Sequence, residues 1–296
     1  MIASARMIAA VKRRTPTALY PIARTIYHRV VAPLECWGVA AADRLLGRTY
    51  EGRVLPPALL RYKVRGSPSG ETFARIGRTC AADIDAALRR FGRDLAASRS
   101  ILDFGCGCGG TLVWLRDLAP TASISGTDID SSAIAWCRTN LPFAKFDTNG
   151  ALPPLAYPDA SFDLVYAISV FTHLDEDYQL RWLAELERIV APGGTCVITL
   201  HGPGTWNEMP VRDQQSLADK GFVFIRTDAT KGLFPDWYQT AFHLRPYVET
   251  TFSKYFDIVG YIPRGLNKHQ DIVVLERRRA PARSARHNGA RETADG

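Results

Sequence analysis

The sequence predicts an α/β protein: a three-layer sandwich around a mixed seven-stranded sheet, preceded by a helical N-terminal extension. Two observations carry this. Between residues 100 and 200, short apolar runs alternate with segments whose apolar residues recur every three or four positions. Strands alternating with helices argue a parallel sheet with right-handed crossovers. The last two apolar runs, residues 257–262 and 270–276, are joined by only seven residues. That connection is too short for a parallel crossover, so the pair closes the sheet antiparallel.

Each element has its own signature. Residues 1–50 read as one or two helical pieces broken by Pro16, Pro21 and Pro33, and residues 52–66, with Pro56-Pro57, as an extended segment. Phe73, Ile76, Cys80, Ile84, Leu88, Phe91 and Leu95 form one apolar face of a long helix. Strands follow at 100–104, 122–127, 143–146, 162–168 and 195–200, the last entered through the turn Pro192-Gly193-Gly194. Helices fall between them at 111–118, at 131–140 with Asp130 as its cap, and at 178–190. Residues 202–245 are loop-rich and aromatic, with one strand at 222–225, and 246–256 form a helix. Three regions result: a basic extension (1–70), a main domain (71–276) with an aromatic cap on its acceptor side (202–256), and a disordered basic tail (277–296).

Charge is placed unevenly. Residues 1–65 hold 12 Lys/Arg against 3 Asp/Glu, residues 276–296 hold 6 against 3, and the central 210 residues carry a net −5 of the total +7. The basic character belongs to the ends, and an acidic body argues against a nucleic-acid partner. No run reaches the roughly 18 apolar residues of a transmembrane helix, and no secretory signal precedes the domain, which points to a cytoplasmic protein. The basic, partly apolar N-terminus carries the further expectation of peripheral contact with an anionic membrane. The six cysteines read as reduced buried thiols. Cys106 and Cys108 are too close for zinc-ligand spacing, and no metal site is expected.

Chemistry concentrates in Asp103-Phe104-Gly105-Cys106-Gly107-Cys108-Gly109-Gly110. Gly105, Gly107 and Gly110 satisfy G-x-G-x-x-G between a strand and a helix, where bare backbone approaches a nucleoside cofactor and a helix N-terminus offers free N–H groups. Alone, the pattern fits NAD, FAD and S-adenosylmethionine (SAM). Asp103 narrows the choice: a carboxylate there suits the ammonium end of SAM and would repel a pyrophosphate. Asp128 ends the second strand, 23 residues after Gly105, and can hold both ribose hydroxyls, a feature shared with NAD enzymes. The closing antiparallel pair is foreign to a plain dinucleotide fold.

The segments ILDFGCGCGG, GTDID, DASFDLVYAISVFTHL and RIVAPGGTCVITLHG resemble, in order and spacing, the motifs of bacterial class I SAM-dependent methyltransferases over about residues 71–276. The resemblance implies SAM at the C-terminal edge of the sheet. Gly105 and Gly107 would meet its methionine part, Asp128 its ribose, Ile129 its adenine ring and Asn149 its adenine amine. It also implies methyl transfer to a small-molecule or glycan acceptor, with a hydroxyl oxygen as first choice. An NAD(P)-dependent oxidoreductase and a catalytically inactive SAM-fold interaction protein are the alternatives.

An alcohol or phenol acceptor needs a group to take its proton. His173, after the fourth strand, and His243, in the aromatic segment, are the candidates, with His201 behind them; each could instead be a hydrogen-bonded structural histidine. Trp206, Phe222, Phe224, Phe234, Trp237, Tyr238, Phe242 and Tyr247 supply core or acceptor-pocket walls. The fourth strand ends in Ala167-Ile168-Ser169-Val170, without the Asn/Asp-Pro-Pro-aromatic motif that grips a base amine.

Overall fold

A computed structural model describes residues 25–209, 211–226 and 238–279. The expectations for residues 1–24, Phe234, Trp237, the Trp206 side chain and the tail beyond Arg279 lie outside them. No helix among these residues is long and apolar enough to cross a membrane.

Among the described residues the first named element is a π-helical turn (Tyr27–Val31) running into α1 (Ala32–Leu46). Pro33 sits in the first turn of α1, directly after the π-helical turn, and residues on both sides of it are helical, so it does not break the run. A short hairpin, β1 (Thr49–Tyr50) and β2 (Arg53–Val54), leads to α2 (Ala58–Arg65). The extended reading of residues 52–66 is therefore corrected. Pro57 is the N-cap of α2, and Gly66 closes it in the left-handed conformation, its N–H donating to the Tyr62 carbonyl at 2.7 Å.

The long amphipathic helix is α3 (Gly70–Arg90), capped by Ser69, whose hydroxyl accepts the Thr72 N–H. It stops at Arg90, and Leu95 reaches the core from a separate 3₁₀ turn. The alternating units follow in order: β3 (Ser100–Phe104), α4 (Leu112–Leu118), β4 (Ser123–Asp128), α5 (Ser131–Asn140), β5 (Ala144–Thr148), β6 (Phe162–Ala167), α6 (Glu176–Ile189) and β7 (Val190–Leu200). β7 begins earlier than its apolar run. Phe162 pairs with Val190 and Leu164 with Thr195, so Pro192-Gly193-Gly194 forms a bulge inside the strand. Beyond it lie α7 (Val211–Lys220), β8 (Phe222–Ile225), β9 (Thr240–His243), α8 (Arg245–Phe252), β10 (Asp257–Leu266) and β11 (Gln270–Glu276).

The seven-stranded sheet has the order β10-β11-β7-β6-β3-β4-β5. Its β3–β7 pairings are parallel, and β11 returns antiparallel to both β7 and β10. Alternate residues feed two cores, as the period of a strand requires. Ile101, Leu164, Tyr166, Ile272 and Val274 pack beneath α3, α4 and α5. Leu102, Val165, Ala167, Val273 and Leu275 pack beneath α6 and α8. Each such aliphatic side chain contributes about 1.5–3 kcal/mol on burial. The edges are irregular: β10 carries Pro263 and two register shifts, and β5 exposes Lys145, Asp147 and Thr148.

Two glycines let α3 press against the loop after β3. A Cβ on Gly77 would overlap the Gly110 carbonyl oxygen, and one on Gly110 would lie 2.6 Å from the Phe73 ring. Because that overlap is with backbone, Gly77→Ala is expected to cost about 1–3 kcal/mol of stability. Urea unfolding measures it; an unchanged midpoint would mean that the helix moves off the loop freely.

Candidate functional site

β3 is the switch point of the sheet: the chain adds β4 and β5 on one side and β6 and β7 on the other, so the loops at the strand ends part and leave a crevice. A cavity of about 370 Å³ occupies it, lined by Asp103, Gly105, Gly107, Asp128, Ile129 and Asn149 among others. All six cofactor candidates from the sequence therefore meet at one cavity.

The glycine loop is tight. Gly105 and Gly107 have φ of +78° and +53°. A Cβ at Gly107 would fall 2.7 Å from Val64 Cγ2, and one at Gly105 would overlap Val170. The loop is tied to β4 through Asp128, whose carboxylate accepts the Gly107 N–H at 2.7 Å and the Asp130 N–H at 2.8 Å. Asp130 caps α5, accepting from Ser132 and Ala133, and is paired with Lys63 at 2.9 Å. Burial works against its charge, but Ser132 and Lys63 hold its carboxyl below the usual range.

Two carboxylates thus meet at one cavity, Asp103 buried and Asp128 half-buried. Burial pushes Asp103 up to about 7, against the pull of the Tyr166 hydroxyl, which donates to it at 2.8 Å, and of Arg65. Burial likewise raises Asp128, against the backbone N–H groups of Asp130 and Gly107. Asp103 and Asp128 are complementary to a cationic ligand group, and Arg65 to an anionic one. The remaining walls are mixed: Ala133, Leu174, Trp182 and Tyr238 are apolar or aromatic, while Lys63, Arg65, Thr111, Asp130 and Ser169 are polar or charged. SAM, with its sulfonium, ammonium, ribose diol and flat adenine, fits this donor set.

Asn149 is more constrained than the sequence suggests. Its Oδ1 accepts the Thr127 hydroxyl at 2.8 Å and its amide donates to the Gly150 carbonyl, so one lone pair of Oδ1 remains for a ligand. Sequence reasoning missed Lys63, Val64 and Arg65, which bring α2 over the cavity. Arg65 donates to the Thr111 hydroxyl at 2.9 Å, and its Nε is buried with no partner among the described residues. Recognising Pro57 and Gly66 as helix caps would have placed Leu60, Val64 and Arg65 on neighbouring turns.

The three histidines differ. His173 donates from Nδ1 to the Gln239 carbonyl at 2.7 Å, which leaves Nε2 as an acceptor with no partner among the described residues. Burial pushes its pKa down to about 4, and its ring stacks on Tyr238 at 4.1 Å. His201 donates from Nδ1 to the Ala241 carbonyl, while its Nε2 accepts from Gln270 at 3.4 Å. His243 is fully buried and donates from Nε2 to Gln179 Oε1 at 3.0 Å; Gln179 is fixed by its own amide, which donates to the Phe171 and Leu174 carbonyls. Burial lowers both His201 and His243 to about 3. None of the three lines the cavity, but His173 lies directly against Tyr238, which does.

The chain matches the methyltransferase domain model over residues 102–198. It is 31% identical to trans-aconitate 2-methyltransferase of Variovorax paradoxus over 36% of this chain and 40% of that protein. It is 29% identical to phthiotriol/phenolphthiotriol dimycocerosates methyltransferase 1 of Mycobacterium ulcerans over 59% and 61%. The chain thus spans between two fifths and three fifths of these relatives. An O-methyltransferase family protein from Burkholderia thailandensis shares the fold at TM-score 0.51 and 12% identity, over 92% of this chain and 77% of that one. The matched domain sets the NAD(P) alternative aside. Residues 102–198, which run from β3 to β7, thus resemble a methyltransferase domain, and the cavity lined by Asp103 and Asp128 lies at the switch point of the same sheet.

Proposed function

We propose that the chain transfers a methyl group from SAM to a hydroxyl oxygen of a small-molecule or glycan acceptor, with His173 taking the acceptor proton. The observation that carries this reading is the neutral His173 imidazole, its Nε2 open, stacked on the Tyr238 wall of the cavity. When bound, SAM supplies an electrophilic methyl on a sulfonium. The protein's task is then to orient, to exclude water and to receive a proton. Asp103 faces the ammonium end, Asp128 the ribose, and Arg65 the carboxylate through its unpartnered Nε. Gly105 and Gly107 allow close backbone approach, while Ile129 and Asn149 serve the adenine. His201 and Gln270 fix the floor beside His173, and His243 holds the β9 strand in place through Gln179. Two relatives are named as methyltransferases of trans-aconitate and of phthiotriol dimycocerosates, and a small acceptor here agrees with those names.

The test is incubation with isotopically labelled SAM and a panel of alcohols, phenols, sugars, amines and carboxylic acids, read by mass spectrometry. A labelled ether is expected. Label confined to amines or carboxylic acids would overturn the hydroxyl assignment, and SAM binding without any turnover would favour the inactive interaction protein.

Asp103 makes cofactor affinity depend on pH. A carboxyl pushed up to about 7 must lose its proton before it can meet an ammonium group, so binding weakens as pH falls through that value. Calorimetry is expected to give SAM affinity about tenfold weaker at pH 6 than at pH 8. Asp103→Asn should flatten the dependence; an unflattened profile would assign it to another group.

A further inference from the structure

We infer that α1 and the turn before it dock on an anionic membrane surface. The evidence is an outward stripe of apolar side chains. Ile26, Val30, Leu34, Trp37, Ala41 and Leu45 follow at steps of three and four residues, and all are exposed, Trp37 by 76% and Leu45 by 86%. The inward side is already satisfied: Ala32 and Cys36 pack against Ala58 and Tyr62 of α2.

The charges are sorted in the same way. Both acids of this segment are engaged within the protein, Glu35 accepting the Tyr27 hydroxyl at 3.3 Å and Asp43 pairing with Arg61 at 2.6 Å. The exposed charges are Arg29 and Arg44, with Arg48 just past the helix end. An ordinary solvated helix face mixes both signs and few large apolar groups. A face that is apolar and purely cationic fits the boundary between lipid headgroups and acyl chains. The preceding 24 residues strengthen this with five basic and no acidic side chains. A second copy fits worse, since pairing two such faces sets arginines against arginines with no outward acid between them.

The placement bears on substrate class. α2 stands between this face and the cofactor cavity, packing on α1 with one side and contributing Leu60, Lys63, Val64 and Arg65 to the cavity with the other. A docked chain therefore holds its cavity close to the bilayer, where an amphiphilic acceptor with a hydroxyl headgroup resides. This last step rests on the methyl-transfer reading; the docking does not.

Vesicle flotation of the full chain tests the docking without any turnover. At low salt, the protein is expected to float with phosphatidylcholine vesicles containing phosphatidylglycerol, not with phosphatidylcholine alone, and to be released at high salt. The exposed double variant Leu34→Ser/Trp37→Ser should lower partitioning about tenfold or more while retaining wild-type SAM affinity and circular dichroism. Absence of flotation with either vesicle overturns the inference. So does flotation of the double variant equal to wild type. A dimer in sedimentation that the double variant dissolves, without flotation, would give the face to a second copy.

Discussion

His173→Ala is expected to lower kcat by roughly 10²–10⁴, the usual contribution of a positioned general base, while leaving SAM affinity unchanged. The separation of the two effects follows from geometry. His173 does not line the cofactor cavity, but its open Nε2 lies beside Tyr238, which does. Burial lowers the imidazole to about 4, so it is neutral and able to accept a proton at ordinary pH. The kcat limb assigned to it is lost only as pH falls through about 4. His243→Ala supplies the contrast. It would strip Gln179 Oε1 of its donor and so should cost about 1–3 kcal/mol of stability instead of chemistry. Comparable kcat losses in both variants, or a His173→Ala enzyme within a few-fold of wild type, would remove His173 from the proton's path.

Asp128→Ala is expected to weaken SAM about ten- to a hundredfold, through two losses that act together. The ribose loses charge-assisted hydrogen bonds worth about 1.5–3 kcal/mol each. The apo protein also loses the acceptor that ties Gly107 and Asp130 to the end of β4. The second loss distinguishes the side chain from a mere ligand contact. Asp128→Asn retains one carbonyl acceptor and should recover part of the loop's order but little of the affinity. Isothermal titration gives the affinity, and amide exchange of residues 105–110 reports the loop. Wild-type affinity in Asp128→Ala would sink the assignment.

The sheet and the glycine loop were legible because local chemistry specifies them. Ile101-Leu102 ahead of Gly105 and Gly107 is a strand ending at a close backbone approach, and seven residues between two apolar runs allow only an antiparallel return. Asp130 is a cap by sequence and by geometry. What escaped was set by the partner instead of the segment. Pro56-Pro57 suits either an extended chain or the lead into a helix, and packing decides for α2, with Ala58 and Tyr62 on α1 and Val64 against the glycine loop. α7 and β9 were likewise hidden. Val211–Lys220 is largely polar, and Thr240–His243 becomes a strand by pairing with Phe222–Ile225. The histidines show the same limit: their spacing says nothing of which nitrogen is occupied. The carbonyls of Gln239 and Ala241 and the amide of Gln179 settle that, and all three are remote in sequence from the rings they fix.

The irregular borders of the sheet bear on how the protein behaves when concentrated. A strand with one side unpaired is a template for another chain's strand, and long flat ones seed ordered aggregates. Here one border, β10, is broken by Pro263, which offers no N–H, and by shifts between Ile258 and Gly260 and between Ile262 and Leu266. The other, β5, is five residues long and turns Lys145, Asp147 and Thr148 to solvent. Neither presents an uninterrupted ladder for fibrillar growth, so aggregation on heating should begin from regions other than the two sheet edges.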